Sequence, residues 1–445
     1  MRTCLIVFSL IFFFEVLFFG SILDFLPSGY DYFIVIDGTR VLYENLKKLP
    51  LFEFFFGEKG LGFEGTISKI LAQRISDPTL VLLPFSRRIL VAGKGRFVLT
   101  DFLRFDVEYF INFLRKLDEK VLVVEFEGDF TRFLDAFSKV LGLSVQGRGD
   151  TFVLRDKGTS LVLKRFGRYL VMSSVDVNAL EFGTQRSQRE NMLNTIELDG
   201  KGKVFGYFKE LEFMGSKGEA FLRGEVKELF LEIVLEHKVM DGTWTTTGED
   251  MTFLPFLGDL YVRIPGKNAK SFEVFLESWF TGNKEEMAKL KEIFKLIGTR
   301  THGSVFVVGN LWGPPSLSVF FRGVRIKDLE SDLVKYGAVK RRDEEMELYL
   351  SETSFKIYEY RNFLVFSSVE KDVLARTFER RILGDHPSYQ FFLNKFSSKG
   401  DGICVFIDIG RIIGKLVGLR VNASFFLIQY LDLGAGKITY RMGVM

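Results

Sequence analysis

Histidine and cysteine, which often act in catalysis and metal binding, are rare in this chain and lie far apart in the sequence. The three histidines are His237, His302 and His386, and none has the close spacing to a second histidine or to a cysteine that a metal site needs. His237 ends a strand-like run, His302 lies in a predicted loop, and His386 stands directly before a proline. These settings predict ordinary turn or surface histidines, with no metal or other cofactor bound.

Two pairs of serines recur in nearly the same phrase. "YLVMSSVD" at 169–176 returns as "FLVFSSVE" at 363–370, 194 positions later. The serines are Ser173, Ser174, Ser367 and Ser368. None of them lies in the Gly-x-Ser-x-Gly pattern of a hydrolase nucleophile. Each pair follows a predicted strand and precedes a predicted helix, so we expect the hydroxyls to bond to nearby backbone N–H groups. No catalytic residue is predicted.

Three further motifs have simple structural interpretations. "AGKGRF" at 92–97 is followed by a strand-like run and not by a helix, which predicts a hairpin turn and no phosphate site. "GRGD" at 147–150 falls at a predicted turn between strands. "RRDEEMELYL" at 341–350 mixes both signs of charge, which is typical of a solvated turn leading into a strand.

The repeated phrase belongs to a longer internal repeat. "EGDFTRFLDAFSKVLGL" at 127–143 corresponds to "RGVRIKDLESDLVKYGA" at 322–338, where a helical segment is closed by a glycine in each copy. The residues that follow, 151–175 and 345–369, each predict three short strands separated by turns. The second turn is predicted at Gly167–Arg168 in copy one and at Arg361–Asn362 in copy two, and a helix is predicted to start at Asp176 and at Glu370. We therefore predict two homologous units, copy one over 27–240 and copy two over 255–445, joined by a linker over 241–254.

Each copy alternates short apolar strands with tight turns and a few helical segments. This pattern predicts an α+β fold in which helices pack on one face of an antiparallel sheet. Serial βαβ units are not indicated.

The N-terminal residues predict a membrane helix. Residues 4–23 contain one charge, Glu15, and fifteen of them are Leu, Ile, Val or Phe. A stretch of this length and composition spans a hydrocarbon core. Residues 1–26 are therefore predicted to be an anchor, with the N-terminus cytoplasmic and residues 27–445 extracytoplasmic. A cleaved signal peptide, which would leave a secreted or periplasmic protein, is the open alternative.

These features resemble a family of exported, membrane-anchored bacterial proteins known only as a domain of unknown function. The resemblance is carried by "LPSGYDYFIVIDG", "VLVVEFEGDFTRFLDAF", "YLVMSSVD" and "VFGYFKEL", together with their partners in copy two. It implies an exported protein with a duplicated unit. The family supplies no catalytic residues.

Composition narrows the function classes. The formal net charge is +3, and no basic run is long enough to follow a nucleic-acid backbone. The sequence has 50 Phe, which predicts an aromatic core, with a groove for an apolar ligand or a face resting on the membrane as the open alternative. It has 11 Asn and 6 Gln among many charged residues, a pattern seen in thermophiles. We expect a non-enzymatic envelope structural or interaction module, with membrane contact through residues 4–23. The alternatives are a carrier of lipid or another apolar ligand and an exported hydrolase.

Overall fold

The computed structural model describes residues 21–445, except 28, 96, 99–119, 149, 156–159, 181, 183–195, 197, 214–215, 239–249, 266–283, 312–315, 343, 351–353, 397–401 and 433–435. The chain divides into two compact units. The first comprises Met1–Phe213 and Lys217–Leu231, and the second comprises Met214–Ser216 and Glu232–Met445. The sequence-based bounds of the two copies stay a prediction.

The first unit consists mainly of strands. Its strands are β1 (Tyr32–Asp37), β2 (Ile89–Gly93), β3 (Phe97–Val98), β4 (Lys120–Glu125), β5 (Ser144–Arg148), β6 (Thr151–Arg155), β7 (Ser160–Phe166), β8 (Tyr169–Ser173), β9 (Lys203–Phe213) and β10 (Ser216–Lys227). Its helices are α1 (Thr39–Leu46), α2 (Pro50–Phe56), α3 (Phe63–Arg74), α4 (Thr79–Leu82) and α5 (Phe130–Leu141), with 3₁₀ turns at Ile22–Phe25, Leu83–Ser86 and Val177–Ala179.

The second unit has the same character. Its strands are β11 (Phe230–Lys238), which begins in the first unit, β12 (Leu260–Ile264), β13 (Val305–Gly309), β14 (Leu317–Arg322), β15 (Ala338–Arg342), β16 (Glu345–Tyr349), β17 (Ser354–Tyr360), β18 (Phe363–Ser367), β19 (Cys404–Ile407), β20 (Phe425–Asp432) and β21 (Lys437–Val444). Its helices are α6 (Lys284–Arg300), α7 (Glu330–Lys335), α8 (Lys371–Arg380), α9 (Pro387–Phe396) and α10 (Ile409–Val417), with 3₁₀ turns at Ile326–Asp328 and Leu383–Asp385.

The strands of the two units pair in the same order. The first unit runs β10-β9-β1-β2-β4-β8-β7-β6-β5. The second runs β11-β21-β20-β19-β12-β13-β14-β18-β17-β16-β15. The pairings from β9 to β5 and from β21 to β15 are antiparallel, and β3 runs parallel to β9. Thus β20 to β15 repeat the order of β10 to β5, which is what the repeated phrases predict.

The repeated phrases lie on equivalent strands. β8 lies between β4 and β7, and β18 lies between β14 and β17. The predicted turns at Gly167–Arg168 and Arg361–Asn362 are confirmed. Gly167 has φ +55°, and Arg361 adopts nearly the same backbone with φ +54°. The predicted helix at Asp176 is wrong, because only a 3₁₀ turn forms there, whereas α8 does begin after Glu370.

The C-terminal end of the predicted membrane helix belongs to a protein core. Ile22 and Phe25 are fully buried, and the Phe25 ring lies 4.9 Å from the ring of Tyr169 and 5.6 Å from that of Phe182. Ser21 accepts a hydrogen bond from Leu23 N and starts this 3₁₀ turn. These apolar side chains are therefore buried against the sheet of the first unit. Residues 4–20 of the predicted span lie outside the described residues.

The predicted fold class and the single-pass membrane location are wrong. Antiparallel sheet dominates the described residues, helices contribute less, and the longest of them, α6, carries four lysines and three glutamates. Within this part of the chain no helix is both long enough and apolar enough to cross a membrane. An apolar run has the same appearance whether lipid or protein buries it, and this ambiguity explains the error at residues 21–23.

Stacked aromatic rings fill part of the core of the second unit. The ring of Phe392 on α9 lies 5.5 Å from that of Phe426 on β20, and the ring of Phe396 lies 5.7 Å from the same ring. Gly443 on β21 lets α9 approach this closely, because a Cβ there would overlap the Phe392 ring. The packing of these rings agrees with the aromatic core that the phenylalanine-rich composition predicts.

Candidate functional site

An aspartate at the start of the first strand occupies the same position in both units. Asp31 N donates to Gly93 O, its carbonyl accepts from Lys209 N, and its carboxylate accepts from Gly95 N at 2.9 Å. Asp259 makes the same three kinds of bond, with Gly309 O, Asp408 N and Leu311 N. The shared pattern indicates a structural role, in which the carboxylate fixes the loop that follows the second strand.

The second unit adds a buried ion pair at this position. Asp259 is fully buried, and its Oδ2 lies 2.7 Å from Nζ of Lys415 on α10. Lys415 Nζ also donates to Asn310 Oδ1 at 3.0 Å. The pair therefore ties α10 to the start of β12 and to the loop after β13.

A histidine and an aspartate meet beside this ion pair. Nε2 of His386 lies 3.3 Å from Oδ2 of Asp408, although 21 residues separate them in the chain. Asp408 is the N-cap of α10, where its Oδ1 accepts from Arg411 N at 2.9 Å. Burial acts to raise the pKa of Asp408. The hydrogen bonds from His386 and from Arg411 N outweigh it and hold the pKa below its usual range.

The surroundings of His386 favour a structural role over catalysis. Its ring lies 5.4 Å from the ring of Phe256 and 5.2 Å from that of Phe406, and its side chain is 12% exposed. A catalytic triad needs a nucleophile next to the imidazole. The nearest serine in sequence, Ser388, is buried and donates its hydroxyl to Asn422 Oδ1. His386 lies in the turn before α9, as expected for a turn histidine, but it is largely buried and fastens the start of α10 to that turn.

Three of the four repeated serines, Ser173, Ser367 and Ser368, accept hydrogen bonds from backbone N–H groups, as predicted. Ser173 Oγ accepts from Val175 N at 3.1 Å, and Ser367 Oγ accepts from Val369 N at 2.9 Å. Ser368 Oγ accepts from Leu317 N at 3.0 Å. Ser367 Oγ also lies 2.6 Å from Oγ of Ser318 on the neighbouring strand, and both residues are buried. These bonds close the turn that follows β8 and β18.

Replacing Ser367 with alanine is expected to lower the free energy of unfolding by about 1 to 2 kcal/mol, because the Val369 N–H and the buried Ser318 hydroxyl lose a partner. Ser173→Ala is expected to cost about 1 kcal/mol. Urea denaturation measures both changes, and Ser331→Ala on the exposed surface of α7 is the control. Labelling of the parent protein at Ser367 by a serine-directed probe would contradict the structural assignment.

The other motifs lie at turns, as expected, with one difference. Gly147 and Arg148 end β5 and Asp150 lies in the turn before β6, so "GRGD" is at a turn between strands. The hairpin predicted at "AGKGRF" does not form, because β3 pairs with β9 while β2 pairs with β1 and β4. His302 is exposed in a loop, and His237 lies near the end of β11.

The thiol in the second unit is not a reactive one. Cys404 on β19 is a free cysteine, and burial raises its pKa to about 11. A nucleophilic cysteine needs a lowered pKa and some exposure. Among the described residues, no group of three or more His, Cys, Asp or Glu side chains is placed to hold a metal ion.

An exposed group of arginines lies on and beside α8. We call the set Arg361, Arg376, Arg380 and Arg381 the arginine surface, and all four are exposed. The guanidinium of Arg361 lies 4.8 Å from the ring of Phe378, which is on α8. The guanidinium of Arg381, the residue directly after α8, lies 4.2 Å from the ring of Phe256. Sequence reasoning missed this surface because Arg361 lies on a hairpin 15 residues before Arg376.

The arginine surface differs from other cations of the same unit. Lys335 pairs with Asp332 at 2.9 Å, Lys340 pairs with Glu330 at 3.0 Å, and Lys356 pairs with Glu370 at 2.6 Å. Within the described residues, none of the four guanidiniums of the arginine surface forms an ion pair, although Asp372 and Glu379 lie on the same helix. The surface is therefore a concentration of charge that the unit does not neutralise by direct contact.

Comparisons with known proteins give weak likenesses. No family model matches the chain, and no curated protein matches it. Crystal form I of TP0453 matches with a TM-score of 0.29 at 12% identity, covering 50% of this chain and 80% of that chain. Crystal form III of TP0453 matches with a TM-score of 0.27 at 12% identity, covering 45% and 94%. These values carry no argument about fold or function, and the family resemblance stays a prediction.

Proposed function

We propose that the protein is a non-enzymatic interaction module and that its arginine surface binds an acidic segment of a partner polypeptide. The observation that carries the proposal is the set of four exposed guanidiniums without ion pairs among the described residues. A guanidinium recognises a carboxylate through two parallel N–H···O bonds.

The stacking of two of these arginines supports binding. Arg361 and Arg381 rest on the rings of Phe378 and Phe256. Contact with a ring face holds the planar guanidinium in place and leaves its N–H edges directed away from the ring. Less side-chain freedom is then lost when a carboxylate binds, which favours affinity.

The placement of the reactive groups supports a role without catalysis. Ser367 bonds to Val369 N, Cys404 is buried with a raised pKa, and His386 packs between aromatic rings while bonded to Asp408. Each group stabilises the fold. The stacked rings of the core favour this proposal over a carrier of an apolar ligand, which needs a hollow interior.

The test uses a fluorescently labelled oligoglutamate peptide and measures binding by anisotropy. We expect the double variant Arg376→Glu/Arg380→Glu to bind about tenfold more weakly or worse, and binding by the parent protein to weaken with salt. The control is Arg132→Glu/Lys139→Glu on α5, which changes the net charge equally at two exposed cations. Equal loss in the control, or no binding by the parent protein, would overturn the proposal.

A further inference from the structure

The last strand in the shared order is an exposed sheet edge in each unit. Among the described residues, β5 pairs only with β6, and β15 pairs only with β16. Residues 144–147 of β5 and 339–342 of β15 are exposed. An edge strand presents unpaired N–H and C=O groups to which another strand can bond.

The edge of the second unit carries features that prevent such pairing. β15 has three consecutive cations, Lys340, Arg341 and Arg342, and its register with β16 shifts between Lys340 and Arg342. Charged side chains and register irregularities are the means by which natural sheets block their edges. The register between β15 and β16 is therefore broken where the charge is highest.

The edge of the first unit lacks these features. β5 has no charged residue before its last position, and all five of its residues pair with β6 without a register shift. Val145 on this strand is 40% exposed. The edge strand β15 is thus protected from pairing with a further strand, whereas its equivalent in the first unit, β5, is open to such pairing.

We infer that β5 pairs antiparallel with β5 of a second copy of this chain, forming a twofold-symmetric dimer. Pairing centred on Gln146 places Val145 opposite Gly147 and Ser144 opposite Arg148, so no like charges oppose each other. The same arrangement of two β15 strands would place Lys340 opposite Lys340, which is unfavourable. A strand that pairs with itself needs no other partner and closes into a dimer.

The test is sedimentation velocity over a concentration series. The parent protein is expected to show a monomer–dimer equilibrium. Gln146→Lys and Gln146→Glu are each expected to weaken the dimer about tenfold or more, because each places like charges opposite at the centre of the pairing. An equal mixture of the two variants is expected to restore the dimer, since opposite charges then meet.

Gln146 is exposed, so circular dichroism should show both variants folded like the parent protein. Val339→Lys on β15 is the control and should leave the dimer unchanged. A parent protein that stays monomeric, a dimer insensitive to both Gln146 variants, or a mixture that does not restore pairing would each overturn the inference. Peptide binding at the arginine surface is measured separately, so failure there leaves this inference standing.

Discussion

Replacing Gly410 with alanine is expected to destabilise the protein by about 3 kcal/mol or more, at the upper end of what overpacking costs. Gly410 lies in the first turn of α10 and is buried. A Cβ there would overlap the carbonyl oxygen of Val421 and lie 3.3 Å from Ala423 N. Both groups are backbone, so no side chain can turn aside, and α10 itself must shift. The shift would also break the bond from Gly410 N to Ala423 O.

Gly414→Ala in the same helix is the matched control. A Cβ at Gly414 would have its nearest neighbour, Leu419 O, at 3.6 Å, an ordinary contact. Removing a glycine from a helix interior should stabilise the protein by up to about 1 kcal/mol. The two substitutions are chemically identical and should have opposite signs in urea denaturation. Destabilisation of similar size by both would show that the close approach of α10 is not the cause.

Sequence reasoning predicted the strands that alternate cleanly between turns. β6 to β8 and β16 to β18 were expected from the repeated phrases, and they form. β15 was not expected as a strand, and β5 was expected only as an unassigned strand before the turn at "GRGD". "SVQGR" is short and contains a glycine, and "AVKRR" ends in charged residues that also suit a solvated turn. Their strand conformation depends on the hairpin partners β6 and β16, a tertiary effect that local pattern does not contain.

The sequence indicates the backbone conformation of only one of the two equivalent hairpins, the one at Gly167. Gly167 indicates a turn with positive φ, because glycine adopts that conformation without steric cost. Arg361 gives no such signal, although its φ is +54°. The guanidinium of Arg361 contacts the rings of Tyr360 and Phe378, contacts that help to offset the strain of this backbone. The arginine surface therefore depends on a backbone conformation at Arg361 that the sequence did not predict, although the turn itself was expected.

The polar contacts of the second unit were the least predictable feature. Asp259 and Lys415 are 156 residues apart, and His386 and Asp408 belong to different elements. Each residue alone resembles a surface residue. The sheet order brings β12 beside β19, and this pairing places the start of α10 next to Asp259. Long-range pairing of this kind has no local signature.

Replacing Lys415 with methionine is expected to destabilise the protein by about 2 to 3 kcal/mol. The substitution keeps the length of the side chain but leaves the fully buried carboxylate of Asp259 with Leu311 N and without its cation. Breaking a fully buried pair costs about 3 to 5 kcal/mol, and the 29% exposure of Lys415 reduces this because solvent screens the charge. Urea denaturation measures the change.

A double-mutant cycle separates this ion pair from the packing of the lysine stem. Asp259→Asn alone removes the charge and keeps the shape. The double variant Asp259→Asn/Lys415→Met should be less destabilised than the sum of the single variants by about 1 to 3 kcal/mol, since both charges are then removed and neither is left without its partner. The same cycle at Asp135 and Lys139 on α5, which are 64% and 58% exposed, should give a coupling of about 0.5 kcal/mol or less. A coupling at Asp259 and Lys415 as small as that of the exposed pair would show that α10 is held by its packing and backbone contacts, and that the buried charge pair adds little.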